Sequence, residues 1–298
     1  MRNRIRNVKC RICKERKATI IVNGFHYCNE CFLKVYERKV ERLIKRFKLI
    51  RNGERVLVAV SGGKDSLSCA FILKKFEKKF GHTTEALHIN VGIPKYSEEA
   101  QKIVKKFCKI NEISLHVINV KETTGKTVRE LAYGRGRPIC AICGVVKRYL
   151  MNKFTLDNKF DKYATGHNMD DILEYFFKNW IAGDFAWIGK LKPITPSIHK
   201  NLATKIRPLF ECSEKENRVY ASLMGIRIVE KTCPYALKSK WKPIIDAIEE
   251  KMPGFKLRFV KSLEKTDFFP EGKKINECKI CGGPTDKEIC SFCRLTRS

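Results

Sequence analysis

Eight of the fourteen cysteines in the sequence form two sets whose spacing could bind metal. Each set consists of two Cys-x-x-Cys motifs, and the sets lie at opposite ends of the chain: Cys10, Cys13, Cys28 and Cys31, and Cys278, Cys281, Cys290 and Cys293. Four thiolates spaced in this way can surround zinc tetrahedrally, and a site with four protein ligands is structural. The sequence therefore predicts one structural zinc site near each end, with His26 as a bystander of the first.

A third Cys-x-x-Cys motif, Cys140 and Cys143 in GRGRPICAICGVVKRY, stands apart, as does Cys233 in KTCPYA. Three thiols in loops could be a redox disulfide pair with a spare thiol. They could also bind a four-iron cluster through three of its irons. Such clusters normally take four cysteine ligands, so a missing ligand leaves one iron open, which is typical of a reactive site. Three further cysteines are predicted to be structural: Cys69, Cys108 and Cys212.

The segment VLVAVSGGKDSLSCAF could bind phosphate. It is not a Walker loop, because Lys64 is followed by Asp65, whereas that loop needs a Ser or Thr hydroxyl to reach magnesium. It still joins a predicted strand to a predicted helix through Ser61-Gly62-Gly63. Backbone N–H groups of such a turn, together with the helix N-terminus, favour a bound phosphate.

The chain is strongly basic, with 61 Lys and Arg against 32 Asp and Glu, a net charge of +29 and a pI near 9.7. A solvated thermophilic surface usually balances Lys with Glu, so the excess favours a polyanionic partner such as nucleic acid. The charge is densest up to Arg55, with 17 basic and 5 acidic residues, and a basic amphipathic helix over 31–50 is the first candidate to bind phosphates. No long apolar run or signal sequence is present, so we expect a cytoplasmic protein without a membrane segment.

Predicted strands alternate with predicted helices through the middle of the chain, which indicates a parallel sheet with both faces covered. Strands are predicted at VLVAV, EALHINV, SLHVINV, KYATGHN and GIRIVE, and helices over 66–80, 97–111, 143–156, 170–180, 214–224 and 241–251. Gly134, Gly136 and Pro138 indicate a loop that leads into a helix near Gly144, and 181–212 are predicted to be irregular. Ligands bind beyond the carboxyl ends of parallel strands, where the Ser61 turn, the segment after His88 and Gly166-His167 all fall.

These motifs together resemble a known family. SGGKDS resembles the PP-loop of the N-type ATP pyrophosphatases, which cleave ATP between its α and β phosphates and attach AMP to a substrate. With LHINVGIPKYS, GRPICAICGVVKRY, ATGHNMDD, KTCPYA and the terminal cysteine pairs, the chain resembles the TtuA-type tRNA 2-thiouridine synthetases over nearly its whole length. The resemblance implies an α/β fold: a parallel-sheet, Rossmann-like PP-loop ATP pyrophosphatase domain flanked by two small zinc-binding modules. The domains expected are a zinc finger over 1–34, a basic linker helix over 35–55, the catalytic domain over 56–265 and a zinc ribbon over 266–298.

The resemblance also implies a role for particular residues. Those expected to bind ATP and its Mg²⁺ are Ala59, Ser61, Gly62, Gly63, Lys64, Asp65, Ser66, His88, Ile89, Lys147, Gly166 and Asp171. Lys147 and Asp171 match the catalytic pair, and Cys140, Cys143 and Cys233 match the ligands of a [4Fe-4S] cluster. Lys147 follows Cys143 by four residues, so both lie on one face of the predicted helix, where the lysine could neutralise charge on the α-phosphate. Asp171 could instead be a helix N-terminal charge, with Asp170 as the cap, and His167 is either structural or a substrate contact.

The implied reaction is adenylation of the C2 oxygen of a tRNA uridine followed by attack of cluster-bound sulfide, with a T-loop uridine favoured over the wobble uridine. A cysteine persulfide could carry the sulfur instead. The expected cofactors are ATP, Mg²⁺, the cluster and two Zn²⁺; the expected partners are tRNA, a second copy in a homodimer, and sulfide or a thiocarboxylated ubiquitin-like protein as sulfur donor. The alternatives are another PP-loop tRNA enzyme, such as a cytidine 2-thiolase or a lysidine-type ligase, and a non-catalytic zinc-ribbon RNA-binding protein.

Overall fold

The computed structural model describes residues 8–266 and 275–297. The strands are β1 (Ile20–Val22), β2 (Phe25–Tyr27), β3 (Arg55–Ala59), β4 (Thr83–Asn90), β5 (Ser114–Asn119), β6 (Lys162–Thr165), β7 (Ile194–Thr195), β8 (Thr204–Ile206), β9 (Asn276–Glu277) and β10 (Pro284–Thr285). The helices are α1 (Asn29–Phe47), α2 (Lys64–Lys75), α3 (Glu77–Phe80), α4 (Tyr96–Ile110), α5 (Val120–Thr124), α6 (Val128–Ala132), α7 (Ile139–Asp157), α8 (Met169–Ile181), α9 (Phe185–Ile188), α10 (Glu214–Leu223), α11 (Trp241–Lys251), α12 (Phe255–Lys265) and α13 (Ser291–Thr296).

The central sheet has six strands in the order β5-β4-β3-β6-β8-β7. The first five pair in parallel, and only β7 pairs antiparallel, with β8. Numbered along the chain, the parallel strands run 3-2-1-4-5, which is the order of the Rossmann fold. Along the chain, β4 and β5 are added on one side of β3, and β6 and β8 on the other. Sheets of this kind bind ligands in the crevice where the order reverses, here between β3 and β6. The predicted parallel-sheet, Rossmann-like α/β fold is confirmed.

Apolar side chains cover both faces of this sheet and define two cores. In β3, Val56 and Val58 point into a core shared with α1, α2, α8 and α10, whereas Leu57 points into a second core shared with α7. Alternation of this kind follows from the two-residue period of a strand, and burial of β3 on both faces is typical of a parallel sheet. The functional crevice therefore lies between helices on opposite faces.

The structure differs from the predicted elements in several segments. Residues 181–212 contain α9, β7 and β8 rather than irregular chain; β8 has only three residues, too few to show an alternating pattern. The segment GIRIVE is not a strand, since Val229 N donates instead to the Gly62 carbonyl oxygen at 2.9 Å. The predicted helix over 66–80 is divided into α2 and α3.

The helix of the third Cys-x-x-Cys motif begins at Ile139 rather than near Gly144. Pro138 immediately precedes it with φ of −56°, and proline suits a helix start because its φ is fixed and its missing N–H would be unpaired there. Cys140 and Cys143 therefore both lie on α7, in its first turns, and not in a loop.

Each terminal cysteine set is attached to the sheet domain through aromatic packing. Cys31 lies in the first turn of α1, whose Tyr36 ring stacks on Tyr220 of α10 with centroids 4.2 Å apart. Near the other end, Phe292 of α13 stacks on Tyr149 of α7 at 3.7 Å.

The predicted domain boundaries remain predictions, and the linker expected around Pro270 and Gly272 lies outside the described residues. Within 8–266 and 275–297, no helix has both the length and the apolar character needed to cross a lipid bilayer.

Candidate active site

The SGGKDS turn begins directly after β3 and is held by its own serines. Ser61 N donates to Ser66 Oγ at 3.0 Å, and Ser66 Oγ donates to the Gly63 carbonyl oxygen at 3.0 Å. Gly62 has a φ of +86°, and a Cβ there would lie 2.8 Å from a methyl carbon of Val229. Both the backbone conformation and the lack of space therefore favour glycine. Among the described residues no side chain caps α2. Its first N–H groups are therefore open to an anion.

Lysines and carboxylates alternate around the turn. Lys64 Nζ lies 3.0 Å from Asp65 Oδ2 and 2.8 Å from Glu214 Oε1. Lys242 Nζ lies 2.9 Å from Glu214 Oε2 and 3.1 Å from Asp171 Oδ1. Burial alone would raise the pKa of Glu214, but hydrogen bonds from Lys64 and Lys242 lower it to about 2. The PP-loop lysine and both predicted aspartates thus belong to one ionic network with Glu214 and Lys242.

Two amides fix the position of Asp65. Its Oδ1 accepts from Asn168 Nδ2 at 3.0 Å and from Asn217 Nδ2 at 2.8 Å. Sequence reasoning did not assign Asn217, Glu214 or Lys242. Ser213 and Glu216 form a capping box at the start of α10. That motif places Glu214 at a helix start but does not indicate what its side chain faces.

Asn168, not Asp170, caps α8. Its side chain accepts from the N–H groups of Asp170 and Asp171, and the Asp171 carboxylate accepts in return from Asn168 N at 3.2 Å. The prediction of Asp170 as cap is wrong because Asn168 already closes a capping box with Asp171. Asp170 instead accepts from Glu214 N at 2.7 Å and pairs with Lys256 at 2.5 Å.

Asp171 has an ionisation close to neutral pH. Burial raises its pKa to about 6, although the ammonium of Lys242 opposes the rise, and the charge of nearby Asp65 adds to it. Both carboxylates accept hydrogen bonds from Asn168, and neighbouring carboxylates supply the hard oxygen ligands that Mg²⁺ prefers. The donor set of Asp65 and Asp171 therefore fits a magnesium ion.

Gly166 joins the end of β6 to the PP-loop. A Cβ on Gly166 would lie 2.6 Å from the carbonyl carbon of Asp65. That distance is too short for any side chain, so only glycine fits here. The TGHN segment therefore packs directly against the loop backbone. Its predicted contact with the nucleotide remains a prediction.

A cleft beside the PP-loop contains five of the predicted ATP-binding residues: Ala59, Ser61, His88, Ile89 and Lys147. His88 is buried, and its Nδ1 lies 2.9 Å from the Val60 carbonyl oxygen. Burial lowers the pKa of His88, so the ring is neutral, Nδ1 donates, and Nε2 is an acceptor. Nε2 has no partner among the described residues, as expected for a group that awaits a donor on a ligand.

The thiols of Cys140, Cys143 and Cys233 gather near the N-terminal end of α7. Cys140 Sγ donates to the Tyr235 carbonyl oxygen at 2.8 Å, and Cys143, Cys233 and Tyr96 pack on the α7 core. Burial raises the pKa of Tyr96, and charge on all three thiols adds to the rise. The ammonium of Lys147 acts directly on Cys143, whose pKa burial otherwise raises. The thiols and Lys147 are therefore brought together as expected.

The spacing of these three sulfurs differs from that of a single-ion site. They are not among the described groups whose ligand atoms all lie within 4.8 Å of one another. A four-iron cluster binds each thiolate through a different iron, so it accommodates sulfurs that are farther apart. The donor set, three half-buried thiols beside a lysine, fits such a cluster better than one metal ion.

Both terminal cysteine sets form compact groups. Within each set of four, the sulfur atoms lie within 4.8 Å of one another. Burial alone would raise the pKa values of Cys10 and Cys278, but backbone N–H groups directed at each sulfur lower both to about 6. Thiolate ligands are deprotonated when they bind metal, so both groups are suited to zinc. The predicted grouping of the eight cysteines is confirmed.

Cys10→Ser is expected to remove one of two zinc equivalents per chain and to lower the melting temperature. The zinc that Cys10 would bind also anchors the start of α1 through Cys31. Zinc content and thermal melting of the purified chain measure both effects. Cys108→Ala is the matched control, because Cys108 is buried without being a ligand; it should keep both equivalents. Two zinc equivalents in Cys10→Ser would contradict the assignment.

Comparison with known proteins places this site in a family. Residues 33–234 match the sequence profile of the PP-loop domain. The chain is 42% identical to the tRNA-5-methyluridine(54) 2-sulfurtransferase of Pyrococcus horikoshii, over 97% of this chain and 93% of that protein. It is 35% identical to the protein of the same name from Thermus thermophilus, over 96% of this chain and 90% of the relative.

A solved structure has the same overall fold. The U34-tRNA thiolase NcsA from Methanococcus maripaludis, determined with its [4Fe-4S] cluster, superposes with a TM-score of 0.82 at 30% identity, over 97% of this chain and 95% of that one. Nearly the whole length of the chain is thus shared with both kinds of relative. The chain belongs to the PP-loop domain family, together with these sulfurtransferases.

Proposed function

We propose that the chain is an ATP-dependent tRNA 2-sulfurtransferase, which replaces the C2 oxygen of a uridine with sulfur. One observation carries this proposal: Lys147 lines the cleft beside the PP-loop together with Tyr96, and the thiols lie next to both, Cys143 at Lys147 and all three around Tyr96. An enzyme that only adenylated its substrate would need the PP-loop and Lys147 but not the thiols. Relatives with the sulfurtransferase name share nearly the full length of the chain.

ATP binding would use the open end of α2. The backbone N–H groups of Gly62 to Asp65 take the β and γ phosphates, and Lys64 exchanges its carboxylate partners for phosphate oxygens. Magnesium held by Asp65 and Asp171 would neutralise part of the phosphate charge. The adenine side of the nucleotide lies in the cleft, where the Nε2 atom of His88 accepts from a donor of the base or ribose.

Adenylation begins with the uridine C2 oxygen near the α-phosphorus. The oxygen forms a bond to that phosphorus while the bond to the bridging oxygen breaks, and pyrophosphate leaves. Lys147 stabilises the negative charge that develops on the α-phosphate oxygens. The C2 oxygen, now part of an AMP ester, has become a good leaving group.

Sulfur transfer completes the exchange. Adenylation has released the proton of the base nitrogen N3. Hydrosulfide then adds at C2, the bond between C2 and oxygen breaks, AMP leaves with the original uridine oxygen, and the hydrosulfide proton passes to N3 to give the thione. When bound by Cys140, Cys143 and Cys233, a [4Fe-4S] cluster supplies an iron without a protein ligand, at which sulfide can be held. These three thiols would hold the cluster, and Lys147, which lines the cleft and acts on Cys143, stands between them and the adenylated base.

The uridine modified is assigned to position 54 in the T-loop. Identity is higher to the position-54 enzymes, at 42% and 35%, than to the U34 thiolase, at 30%. The test is mass spectrometry of nucleosides and fragments from tRNA incubated with ATP, sulfide and the cluster-loaded protein. We expect thiolation of the wild-type tRNA and none of a U54→C tRNA. Thiolation that persists in that tRNA and disappears in a U34→C tRNA would assign the wobble position instead.

The remaining partners are part of the same proposal. Sulfide or a thiocarboxylated ubiquitin-like protein supplies the sulfur, two chains form a homodimer in the cytoplasm, and Zn²⁺ occupies both cysteine groups. Four basic residues of α1 and its end form no ion pair within the described part of the chain and are available to RNA phosphates: Lys34, Arg38, Arg42 and Lys48. The excess positive charge of +29 supports an RNA substrate.

The rate should fall below about pH 6 because of Asp171. A carboxyl whose pKa is about 6 is ionised above that pH and protonated below it, and the protonated form binds Mg²⁺ poorly. We expect kcat/KM for ATP-dependent pyrophosphate release to show an acidic limb with a midpoint near pH 6. In Asp171→Asn the rate should drop at least about a hundredfold and lose this limb. Asp157→Asn, an exposed control on α7, should keep both, and an unchanged limb in Asp171→Asn would assign the ionisation elsewhere.

A further inference from the structure

A cluster of three cations lies next to the active site on the α7 face of the sheet. It consists of Arg148, Lys205 and Arg207, and is called here the basic cluster. We propose that the basic cluster binds a backbone phosphate of the RNA substrate next to the nucleotide that is modified. The name of the ligand rests on the proposed function; the phosphate-binding chemistry rests on the position and charge of the three side chains.

Strand register brings the three side chains together. In the β6–β8 pair, Tyr163 lies opposite Lys205, and Arg207 follows two residues later on the same face of the sheet. Tyr163 packs in the core that α7 forms on that face, and α7 carries Arg148. All three cations act on the ring of His167, which follows β6. The basic cluster is therefore at the carboxyl edge of β6 and β8.

No carboxylate neutralises the basic cluster. In the parts of the chain that the structure describes, none of its three residues forms a salt bridge. Arg207 is only 5% exposed, and its Nη1 donates to neutral oxygens, the Lys192 carbonyl at 2.6 Å and Thr195 Oγ1 at 2.9 Å. The carboxylates of α8 near Tyr175 are already paired, Asp171 with Lys242 and Glu174 with Lys178.

Such an arrangement is unfavourable in a protein that serves only its own stability. Burial and the two neighbouring arginines lower the pKa of Lys205 well below its usual value, and burial lowers that of Arg207 to about 10. Partly buried cations are normally paired, because removing them from water costs several kcal/mol per ion. An unpaired group of three at a ligand-binding edge therefore indicates an anion that arrives from outside.

Position distinguishes this anion from the phosphates of ATP. The triphosphate has its own donors in the PP-loop after β3, whereas the basic cluster is offset toward β8. Beside the cluster, the rings of His167 and Tyr175 have centroids 6.0 Å apart, and Tyr175 is 40% exposed. Aromatic rings next to positively charged side chains are a combination that binds unpaired RNA, through stacking on bases and contacts to phosphates. An RNA backbone phosphate fits this surface.

The test compares Lys205→Met and Arg148→Met with Lys153→Met, which removes one positive charge from an exposed position of α7. Affinity for tRNA is measured by titration at several salt concentrations, and affinity for ATP by titration without tRNA. For each of the first two variants we expect tRNA binding to weaken about tenfold and the slope of log affinity against log salt to decrease by about 1. ATP affinity should stay unchanged. Because methionine avoids the cost of burying an unpaired ammonium, the melting temperature of Lys205→Met should not fall.

Two results would overturn the proposal. The first is that Lys205→Met and Arg148→Met both bind tRNA with the same affinity and the same salt slope as Lys153→Met. The other is loss of ATP affinity with tRNA binding intact, which would assign the basic cluster to the nucleotide. Arg148 is exposed, so its variant tests the proposal even if Lys205→Met fails to fold. Binding is measured without thiolation, so failure of the wild-type chain to thiolate tRNA would contradict the proposed function and leave this measurement decisive for the phosphate site.

Discussion

Lys147→Met is expected to reduce the rate of tRNA-dependent pyrophosphate release by about a hundred- to a thousandfold, the usual effect of removing one group that stabilises transition-state charge. Lys147 lines the cleft with Ser61 and His88, and its ammonium acts on Cys143. It therefore lies between the phosphate site and the thiols. Methionine keeps most of the side-chain volume and removes the charge, so ATP affinity should change only a few-fold.

Single-turnover kinetics of pyrophosphate release, with ATP binding titrated separately, separate these two effects. Lys153→Met, which lies further along α7 and pairs with the exposed Asp157 at 2.8 Å, is the matched control and should retain the wild-type rate. A Lys147→Met protein that releases pyrophosphate as fast as the control would exclude a catalytic role for this lysine.

Cys233→Ser is expected to abolish thiolation while leaving pyrophosphate release largely intact. A serine hydroxyl is a poor ligand for iron, because clusters require thiolates. Cys233 contributes a thiol to the group around Tyr96 from a segment distant from α7 in the chain, so its loss should release the cluster. The ATP site lies on other residues and should still adenylate.

Iron content, thiolated nucleoside and pyrophosphate are the three quantities to measure on the anaerobically reconstituted variant. Cys212→Ala is the control, since Cys212 is fully buried in the other core; it should retain iron and thiolation. Undiminished thiolation by Cys233→Ser would contradict the cluster assignment and favour sulfur transfer through a persulfide on another cysteine.

Much of the fold follows from local sequence pattern. The order of strands and helices around β3, β4 and β6 is apparent from apolar runs that alternate with amphipathic segments, and the eight terminal cysteines are apparent from spacing alone. The strand β8 was missed because its three residues, Thr204–Ile206, are stabilised by pairing with β6 rather than by any pattern of their own. The start of α7 was placed too late because the glycines before it outweighed Pro138.

The residues of the candidate site are likewise of two kinds, those that one local motif brings together and those that only tertiary packing brings together. Ser61, Lys64 and Asp65 lie within one contiguous motif, so their proximity is a local property of the chain. Glu214 and Lys242 approach the PP-loop only because α10 and α11 pack beside α2 and α8, and no spacing in the sequence encodes that contact. The sequence singles out Cys233 as an unpaired thiol, but only the family resemblance chooses the cluster over a redox pair, and its place near α7 is a consequence of tertiary structure. The roles of these residues in catalysis remain predictions.

The central claim is that the three thiols hold a cluster for sulfur transfer beside an independent adenylation site. Its most direct test measures thiolated uridine and pyrophosphate in parallel, with tRNA, ATP and sulfide, for the same chain in its cluster-loaded and iron-free forms. We predict that the loaded protein forms one thiolated uridine per pyrophosphate, and that the iron-free protein releases pyrophosphate without thiolating tRNA. Thiolation by the iron-free protein at the full rate would contradict the claim.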